Sequence, residues 1–466
     1  MNSLWTSQEL EAATLGRVTH DFNVQGISID TRTLKPGDLF IALKGENRDA
    51  HGFVSAAFGR GAAAAMVSYR PQNVSGDVPL LLVANTQRGL EDIGRAACHR
   101  ASKRIAVTGS AGKTTTKEML RVALAASHAT HASASSYNNH WGVPLSLAQC
   151  PRRCRYAIYE IGMNHFGEIR SLAGFVQPNV ALVTTIAPAH LQYFGSVEAI
   201  ADAKSEIFEA LSRHAGTAVI PADNPCTERL RARARQAGVD MVFTFGQSAK
   251  ADARLLSATD LKSGMRIESE FMGRRYAFQV GAVGLHIAYN ALAAILAASI
   301  ADADPGKAME ALAGFSALQG RGARLALPLG GGAIEIIDES YNANPASMRA
   351  ALALLAATRP AEGGRRIAVL GDMLELGPQS AALHADLVDA VEDARADLVF
   401  ACGQDMRALF EALPQSRRGS WAETSAEIAP EVARVVRAGD EVLIKGSLGS
   451  RMAVILDALK AVGGAF

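Results

Sequence analysis

A short loop with two glycines contains the residues best suited to chemistry in this sequence. It reads Gly109-Ser110-Ala111-Gly112-Lys113-Thr114-Thr115, between an apolar run at residues 105–107 and helical spacing from Met119 onward. Glycines let backbone N–H groups approach phosphate oxygens, a helix start adds partial positive charge, and a lysine adds a full one. Thr114 has the hydroxyl that holds Mg²⁺ in such loops. The strand, loop and helix therefore predict a site for a nucleotide triphosphate.

The glycine spacing leaves an alternative open. Two residues separate Gly109 from Gly112, whereas the usual phosphate loop has four residues between its glycines. An ordinary tight turn between a strand and a helix would have the same pattern. The order of strand, loop and helix favours the nucleotide site.

Polar residues also follow two further apolar strands. Glu160 lies at the end of the strand predicted from Tyr156, and His190 follows the strand predicted over residues 179–186. Ligands of parallel sheets bind beyond the carboxyl ends of the strands. We therefore predict that Glu160 binds Mg²⁺ and that His190 contacts the metal or a phosphate. The alternatives are a solvated glutamate and a histidine satisfied within the core.

Four other polar residues fit either a structural or a binding role. Asn138 and Asn139 precede a glycine turn and a helix, so they either cap that helix or bind a polar substrate. Asn290, near the start of a long predicted helix, either caps it or hydrogen-bonds an adenine edge, and alone it indicates a structural role. Lys204 lies on a predicted helix and alone indicates a surface lysine.

A cluster of polar residues near the N-terminus is compatible with an anionic or sugar ligand. Its members follow two predicted strands and are Ser28, Thr31, Arg32, Gly45, His51 and Gly52. Such residues at strand ends form a polar rim. The alternative is that they are turn and surface groups.

The order of the predicted elements indicates an α/β protein of three units. Residues 1–86 predict a small α/β N-terminal domain, and residues 87–320 predict a central domain with a doubly wound, mostly parallel sheet. Alternating residues between 247 and 282 predict an antiparallel side sheet. A linker at 319–324 leads into a compact, Rossmann-like C-terminal domain over residues 321–466.

Composition excludes several classes of protein. The chain has 466 residues with 47 basic and 46 acidic side chains, a net charge of +1, so broad binding to nucleic acid is not expected. The first ten residues lack the regions of a signal peptide, and the longest apolar run, 291–301, is too short to span a membrane. We expect a cytoplasmic protein without membrane insertion. The five cysteines lack zinc-type spacing and are expected to be reduced thiols.

Together these motifs resemble, in order and spacing, the Mur ligase family of ATP-dependent amide-forming enzymes in peptidoglycan precursor synthesis. The similarity covers essentially the whole chain, and the shortened phosphate loop is the form that this family uses. The most discriminating stretches are residues 137–139 with 142–144, residues 338–345 and residues 370–377. The resemblance implies the three-domain architecture of the family. It also implies an ADP-forming ligase that joins D-alanyl-D-alanine to UDP-N-acetylmuramoyl tripeptide through an acyl phosphate.

The resemblance also implies roles for individual residues around ATP. It implies two Mg²⁺ ions, with Thr114, Glu160 and His190 among their ligands. It further implies that CO₂ carbamylates Lys204, which converts a cation into an anionic Mg²⁺ ligand. Arg321 in the hinge matches a catalytic arginine. Asp338 matches the acid that helps hold ATP from the C-terminal domain.

Substrate sites follow from the same resemblance. Asn290 is the remaining asparagine of the family's adenine-binding helix, because Ile287 replaces the other. The polar cluster near the N-terminus would bind the UDP part of the substrate, with Asn138 and Asn139 facing its muramoyl side. The dipeptide site would comprise Tyr341, Asn342 and Asn344. His190 and the carbamate on Lys204 are both candidates for deprotonating the incoming amine.

Other functions remain as alternatives. Another ligase of the same superfamily, either an amino-acid-adding muramoyl ligase or a folylpolyglutamate-synthase-like enzyme, would share the ATP core. The N-terminal unit with Asp30-Thr31-Arg32 argues against the folate enzyme. A nucleotide-driven switch or motor would hydrolyse ATP without an acceptor. The expected partners are the small-molecule substrates alone, and the expected state is a monomer.

Overall fold

The computed structural model describes residues 3–45, 48–74, 76–134, 136–211, 215–261 and 263–463. Over these residues, three α/β units follow one another along the chain, each with a sheet of its own. This arrangement agrees with the predicted fold class.

The N-terminal unit is built on a mostly parallel sheet. Its strands are β1 (Trp5–Thr6), β2 (Arg17–Val18), β3 (Asn23–Val24), β4 (Gly26–Ser28), β5 (Asp38–Ile41), β6 (Ala64–Val67) and β7 (Leu80–Leu82). Its helices are α1 (Ser7–Thr14) and α2 (Val54–Gly59), and α3 (Thr86–Ala97), which leads into the central unit, packs against the same core. The sheet order is β2-β7-β6-β5-β4, with β2 antiparallel to β7, and β1 and β3 form a separate antiparallel pair. Because β4 and β5 are parallel, Ser28 and the loop after β5 lie at the same edge.

The central unit contains a longer mixed sheet. Its strands are β8 (Ala101–Thr108), β9 (Thr130–Ala132), β10 (Cys154–Glu160), β11 (Val180–Val183), β12 (Thr217–Pro221), β13 (Met241–Gly246), β14 (Ala253–Leu261), β15 (Gly264–Phe271) and β16 (Arg274–Val280). Their order is β16-β15-β14-β13-β12-β11-β8-β10-β9. Strands β9 to β14 are parallel, and β14, β15 and β16 pair antiparallel, as predicted for residues 247–282.

Helices cover both faces of the central sheet. They are α4 (Lys113–Ala125), α5 (Gly142–Ala148), α6 (Glu168–Val176), α7 (Leu191–Phe194), α8 (Val197–Ser205), α9 (Thr227–Gln236), α10 (Leu285–Ile300) and α11 (Pro305–Leu312). One face packs on α4 and α10, and the other packs on α6, α8 and α9. Helix α5 also packs on α3 and joins the N-terminal core. Within the described ranges, no helix has both the length and the apolarity needed to cross a bilayer.

Strand β8 positions the loop at residues 109–115, which is called the phosphate loop below. It lies between β10 and β11, and residues 104–108 are all buried. The sheet continues through β10 and β9 on one side and through β11 to β13 on the other, so the strand order reverses at β8. Ligands of doubly wound sheets bind beyond the carboxyl ends of the strands at such a point. The same arrangement places Glu160, the last residue of β10, beside the loop.

The C-terminal unit has a parallel sheet with one antiparallel edge. Its strands are β17 (Ala323–Leu329), β18 (Gly332–Glu339), β19 (Arg366–Gly371), β20 (Leu398–Cys402), β21 (Arg418–Ala422) and β22 (Glu441–Lys445). Its helices are α12 (Pro345–Ala356), α13 (Ser380–Ala385), α14 (Val388–Asp393), α15 (Met406–Ala412), α16 (Ser425–Val435) and α17 (Ala453–Gly463). The order is β17-β18-β22-β19-β20-β21. Strand β17 was not predicted: it starts within the predicted linker at 319–324 and pairs antiparallel with β18.

The cysteines agree with the expectation of reduced thiols. All five lie within the described ranges, and each is buried and free of disulfide bonds. Burial raises the pKa of Cys98 and raises the pKa of Cys402 to about 12. The thiols Cys98 and Cys402 therefore stay protonated at neutral pH and pack as small apolar side chains.

Candidate active site

The phosphate loop requires glycine at two positions. Gly109 and Gly112 have φ angles of 149° and 79°, which favour glycine. A Cβ atom on Gly109 would lie 1.9 Å from Thr184 Oγ1, and one on Gly112 would lie 2.8 Å from Asn290 Oδ1. The loop is therefore closely packed between the end of β11 and helix α10. Asn290 lies against the loop itself, and it also lines the main cavity.

Lys113 is the first residue of α4. Its Nζ donates a hydrogen bond to Gly109 O at 2.7 Å. Burial lowers the pKa of Lys113; the nearby Glu160 carboxylate opposes this effect and Arg321 adds to it. A cation that is already desolvated and held by the loop is well placed to meet phosphate oxygens.

Glu160 presents a buried carboxylate to the start of the same helix. Its side chain is 1% exposed; Oε2 accepts a hydrogen bond from Thr114 Oγ1 at 2.7 Å, and Oε1 accepts one from Asn138 Nδ2 at 2.8 Å. Across the described residues, no cationic side chain forms an ion pair with Glu160. A buried carboxylate is costly unless a cation compensates it. The oxygens of Glu160 and Thr114 therefore suit a hard divalent ion.

The two neighbouring asparagines have different roles in the structure. Asn138 orients Glu160 through the hydrogen bond just described. The Oδ1 of Asn139 accepts hydrogen bonds from the N–H groups of Trp141 and Gly142, at 3.2 and 2.9 Å. Asn139 therefore holds the turn that leads into α5, which is a structural role.

Lys204 is buried, contrary to its interpretation as a surface lysine from the sequence alone. It lies on α8 and is 1% exposed. Burial lowers the pKa of Lys204 well below its usual value, and the charge on Lys113 lowers it further. Its Nζ makes no hydrogen bond or ion pair with any described residue. A neutral, unpartnered amine in a buried position is the form that reacts with CO₂.

His190 contacts the C-terminal unit. It precedes α7, and its Nδ1 lies 2.5 Å from Glu375 Oε2. The contact has the distance of an ion pair, although Nδ1 makes no hydrogen bond of good geometry. His190 lowers the pKa of Glu375. In the part of the chain that the structure describes, no group of three or more His, Cys, Asp or Glu side chains forms a metal cluster; the predicted set contains only two such side chains.

Arg321 joins the hinge to the central unit. Its Nη2 donates a hydrogen bond to Ser136 Oγ at 3.1 Å, and its Cζ lies 3.9 Å from the centre of the Tyr341 ring. Asn344, the N-cap of α12, also reaches across, because its Nδ2 donates to Ser110 O at 3.4 Å. The C-terminal unit is therefore closed over the phosphate loop.

Asp338 makes its hydrogen bonds at the hinge. Its side chain is fully buried and accepts hydrogen bonds from Gly320 N–H at 2.8 Å and from the Ser340 hydroxyl at 2.6 Å. Asp338 is not one of the described residues that line the main cavity. In this arrangement Asp338 fixes the hinge residue that precedes Arg321.

The main cavity, of about 510 Å³, lies between the central and C-terminal units. It contains the phosphate loop, Glu160, Asn290, Arg321, Tyr341, Asn342 and Asn344. Sequence reasoning missed further lining residues, which are Asn224, Phe245, His286, Tyr289, Glu339 and Lys445. Asn224 and Phe245 follow β12 and end β13, so their position at strand ends was the available signal. Burial lowers the pKa of His286.

A second cavity, of about 350 Å³, lies within the C-terminal unit. It opens at the carboxyl ends of β19 and β20, beside the start of α16. Its lining includes both charges and apolar groups: Asp372, Leu374, Glu423, Arg451 and Val454. Burial raises the pKa of Asp372.

The polar cluster near the N-terminus is only partly available to a ligand. Arg32 is 86% exposed and pairs with Asp30. The His51 ring is 1% exposed: Nδ1 lies 2.6 Å from Asp49 Oδ1, and Nε2 accepts the Ser68 N–H at 2.9 Å. His51 therefore holds the loop in place and does not present its ring to solvent, which differs from the expected contact.

The rest of the predicted cluster lies at the edge of the N-terminal sheet. Ser28 Oγ donates to Asp30 O at 2.9 Å. A Cβ atom on Gly45 would lie 3.3 Å from Trp141 Cη2, and one on Gly52 would meet no described atom within 4 Å. Thr31 lies between Asp30 and Arg32. Gly45 therefore packs closely against Trp141, and this contact places the cluster beside the central unit.

Comparisons with known proteins agree with this geometry. Three family models match the chain: "Mur ligase family, catalytic domain" at residues 23–122, "Mur ligase middle domain" at 107–298 and "Mur ligase, glutamate ligase domain" at 323–448. A Rickettsia prowazekii protein named UDP-N-acetylmuramoyl-tripeptide--D-alanyl-D-alanine ligase is 31% identical over 455 residues, covering 97% of this chain and 99% of its own. The chain belongs to the Mur ligase family. The resemblance stated from the sequence is confirmed.

A second relative and a solved structure also match most of the chain. The Escherichia coli protein named UDP-N-acetylmuramoyl-tripeptide--D-alanyl-D-alanine ligase is 34% identical over 394 residues, covering 84% of each chain. A crystal structure of MurF from Acinetobacter baumannii matches with a TM-score of 0.83 at 30% identity, covering 98% of this chain and 99% of its own. The three-domain Mur ligase architecture predicted from the sequence is therefore confirmed.

Proposed function

We propose that this Mur ligase joins D-alanyl-D-alanine to UDP-N-acetylmuramoyl tripeptide, with conversion of ATP to ADP, in peptidoglycan precursor synthesis. The shared name of the Rickettsia prowazekii and Escherichia coli relatives supports this substrate pair. The main cavity is the observation that best supports this reaction. There the C-terminal unit closes on the phosphate loop. A ligase needs this closure because an acyl phosphate is labile in water.

The first step transfers the γ-phosphoryl group to the terminal carboxylate of the tripeptide. The carboxylate and the triphosphate repel each other, so positive groups must offset the charge that gathers during transfer. Lys113 supplies such a charge from the loop, and Arg321 supplies another from the hinge. In the second step the dipeptide amine attacks the acyl phosphate, and phosphate leaves.

We propose two Mg²⁺ ions near Glu160. The fit rests on its buried carboxylate, which has hydroxyl and amide partners and no described cationic one. Thr114 and Glu160 would hold one ion, and His190 and a carbamate on Lys204 would contribute to the other. The ions would neutralise phosphate charge. Asn138 keeps Glu160 in place, and the burial of Lys204 lowers the pKa of its amine, which favours the neutral form that carbamylation requires.

The acceptor amine must lose a proton before it attacks. His190 and the carbamate on Lys204 are both candidates for accepting that proton. Closure of the C-terminal unit through Arg321 and Asn344 excludes water from this step.

The predicted dipeptide residues Tyr341, Asn342 and Asn344 line the main cavity together with the loop. The second cavity fits the dipeptide better on chemical grounds. D-alanyl-D-alanine carries one ammonium, one carboxylate and two methyl groups, and this cavity offers Asp372 and Glu423 for the first, Arg451 for the second and apolar groups for the methyls. We therefore propose this cavity as its binding site, with Asn342 as the alternative.

Replacing Arg451 with alanine tests this location. Loss of a hydrogen bond to a charged group is expected to raise the KM for the dipeptide by about 10-fold or more, while the KM for ATP stays unchanged. Steady-state kinetics with each substrate varied in turn measures both values. If Asn342→Ala raises the dipeptide KM and Arg451→Ala does not, the dipeptide binds in the main cavity instead.

An ADP-release assay tests the function itself. Purified protein with ATP, Mg²⁺ and UDP-N-acetylmuramoyl tripeptide is expected to release ADP with D-alanyl-D-alanine and to give the pentapeptide product by mass spectrometry. Turnover with a single amino acid in its place would indicate an amino-acid-adding ligase, and turnover with folate would indicate a folylpolyglutamate-synthase-like enzyme. ADP release without any acceptor would indicate a switch or motor ATPase.

Three further proposals complete this picture. We propose domain limits of 1–86, 87–320 and 321–466, because the main sheets lie within 17–82, 101–280 and 323–445. We propose that the N-terminal cluster around Arg32 binds the UDP part, with Asn290 near adenine. A monomer that works in the cytoplasm, where nucleotide substrates are made, fits these roles.

A further inference from the structure

The segment at 370–377 was singled out in the sequence, and the proposed function uses only Asp372 and Leu374 from it. It leaves β19 and brings Glu375 against the central unit. Glu375 Oε2 lies 2.5 Å from His190 Nδ1, and Glu375 O accepts a hydrogen bond from Gln192 N–H at 3.1 Å. The side chains of His190 and Glu375 are only 23% and 37% exposed. One side-chain contact and one backbone contact therefore join the two loops.

The backbone at this junction is unusual on both sides. His190 has φ 60° and Glu375 has φ 64°, and both angles are in the left-handed region that residues other than glycine seldom adopt. Gly377, at φ 68°, packs against Gln192, where a Cβ atom would lie 3.2 Å from Gln192 Cα. Such conformations persist where the surroundings hold them, and they cluster at functional sites. Both loops are thus shaped to bring these two side chains together.

The contact joins the central and C-terminal units, so it depends on their closed arrangement. His190 follows β11 of the central sheet, whereas Glu375 follows β19 of the C-terminal sheet, and the hinge at Gly320 and Arg321 separates them. A carboxylate at Nδ1 of a histidine fixes the orientation of the ring and leaves Nε2 to face a metal ion or phosphate. In an open arrangement the ring would lack this support.

We propose that Glu375 is a positioning residue, supplied by the C-terminal domain on closure, that orients His190 for phosphoryl transfer. This proposal rests on the role of His190 in the proposed function. It explains how chemistry is tied to closure: the loop and Glu160 hold the nucleotide in either arrangement, but the His190 ring is oriented only after the C-terminal domain has arrived.

The test replaces Glu375 with glutamine, which keeps the backbone contact to Gln192 and removes the carboxylate. Loss of an outer partner of a metal-binding histidine is expected to lower kcat by about 10–100-fold. The Kd of an ATP analogue, measured by equilibrium binding, should stay unchanged because the phosphate loop is intact. Small-angle X-ray scattering of the nucleotide-bound protein should show the same closed shape as the wild type. Glu362→Gln, an exposed loop glutamate of the same domain, is the matched control and should leave all three unchanged.

A double-mutant cycle with His190→Ala separates positioning from other roles. In that background Glu375→Gln should lower kcat by less than about twofold further, because the two residues act as one unit. A wild-type kcat for Glu375→Gln overturns the proposal. So does an equal loss in the His190→Ala background, or a loss that accompanies an opened scattering profile, since Glu375 would then be only a latch. Failure of the proposed function would be distinct: the wild type itself would release no ADP with the two substrates.

Discussion

Replacing Lys113 with alanine is expected to lower ligation by about 10³-fold or more. Lys113 is held at the mouth of the phosphate loop by its bond to Gly109 O, and it is the loop's only full positive charge. Removal of that charge leaves only Arg321 and the proposed Mg²⁺ ions to offset the repulsion between the tripeptide carboxylate and the γ-phosphate. The measurement is ADP release under saturating substrates, with product checked by mass spectrometry. The effect should fall on kcat more than on the KM for the tripeptide, because the charge develops during transfer.

Lys307→Ala is the matched control for this prediction. Lys307 is an exposed lysine of α11 in the same domain, and its loss should leave the rate unchanged. Ligation at a near wild-type rate in Lys113→Ala would reject the phosphate-binding role of the loop. Thermal melting of both variants establishes that each is folded, so that a loss of rate reports on the site.

The parts of the site that follow from local sequence were predictable. The loop at 109–115 lies between a strand and a helix, as predicted, because glycine placement and apolar runs are local signals. The position of Glu160 at the end of β10 was equally predictable, since strand ends of a parallel sheet share one edge. The order of the motifs along the chain was also enough to indicate the family.

The parts that depend on packing between distant segments were not predictable. The burial of Lys204 results from how α8 packs on the sheet, and a lone lysine carries no sign of it. The His51 ring is buried by Asp49 and Ser68, although a histidine in a glycine-containing loop indicates a surface group. Ser68 is 17 residues from His51 along the chain, so neither this contact nor the packing of α8 can be deduced from adjacent residues.

Contacts across the hinge were the least accessible to sequence reasoning. The pairing of His190 with Glu375 joins two loops that follow strands of different sheets. The hydrogen bonds of Asp338 to Gly320 and Ser340 at the hinge were not foreseen either. Such contacts depend on the relative position of two domains, which periodicity and spacing do not specify.

Replacing Lys204 with alanine is expected to lower ligation by about 10²–10³-fold and to be partly rescued by added short carboxylic acids. The physical reason is the state of the amine. Burial and the neighbouring Lys113 lower the pKa of Lys204, so its neutral form is populated at a lower pH than that of an ordinary lysine. Only the neutral amine reacts with CO₂, and the resulting carbamate is an anion close to the Lys113 cation. Acetate or formate would supply a carboxylate in the space that the side chain vacates.

Two controls distinguish this role from a structural one. The same acids should not restore activity to Lys113→Ala, because that variant has lost a positive charge and the acids supply a negative one. Wild-type protein in CO₂-depleted buffer at a pH where the amine is neutral should lose activity and regain it when bicarbonate is added, whereas Lys204→Ala should not respond to bicarbonate. A fully active Lys204→Ala variant without additive would remove this residue from the site. An inactive variant that no carboxylic acid rescues, with unchanged thermal stability, would show that its ammonium and not a carbamate is required.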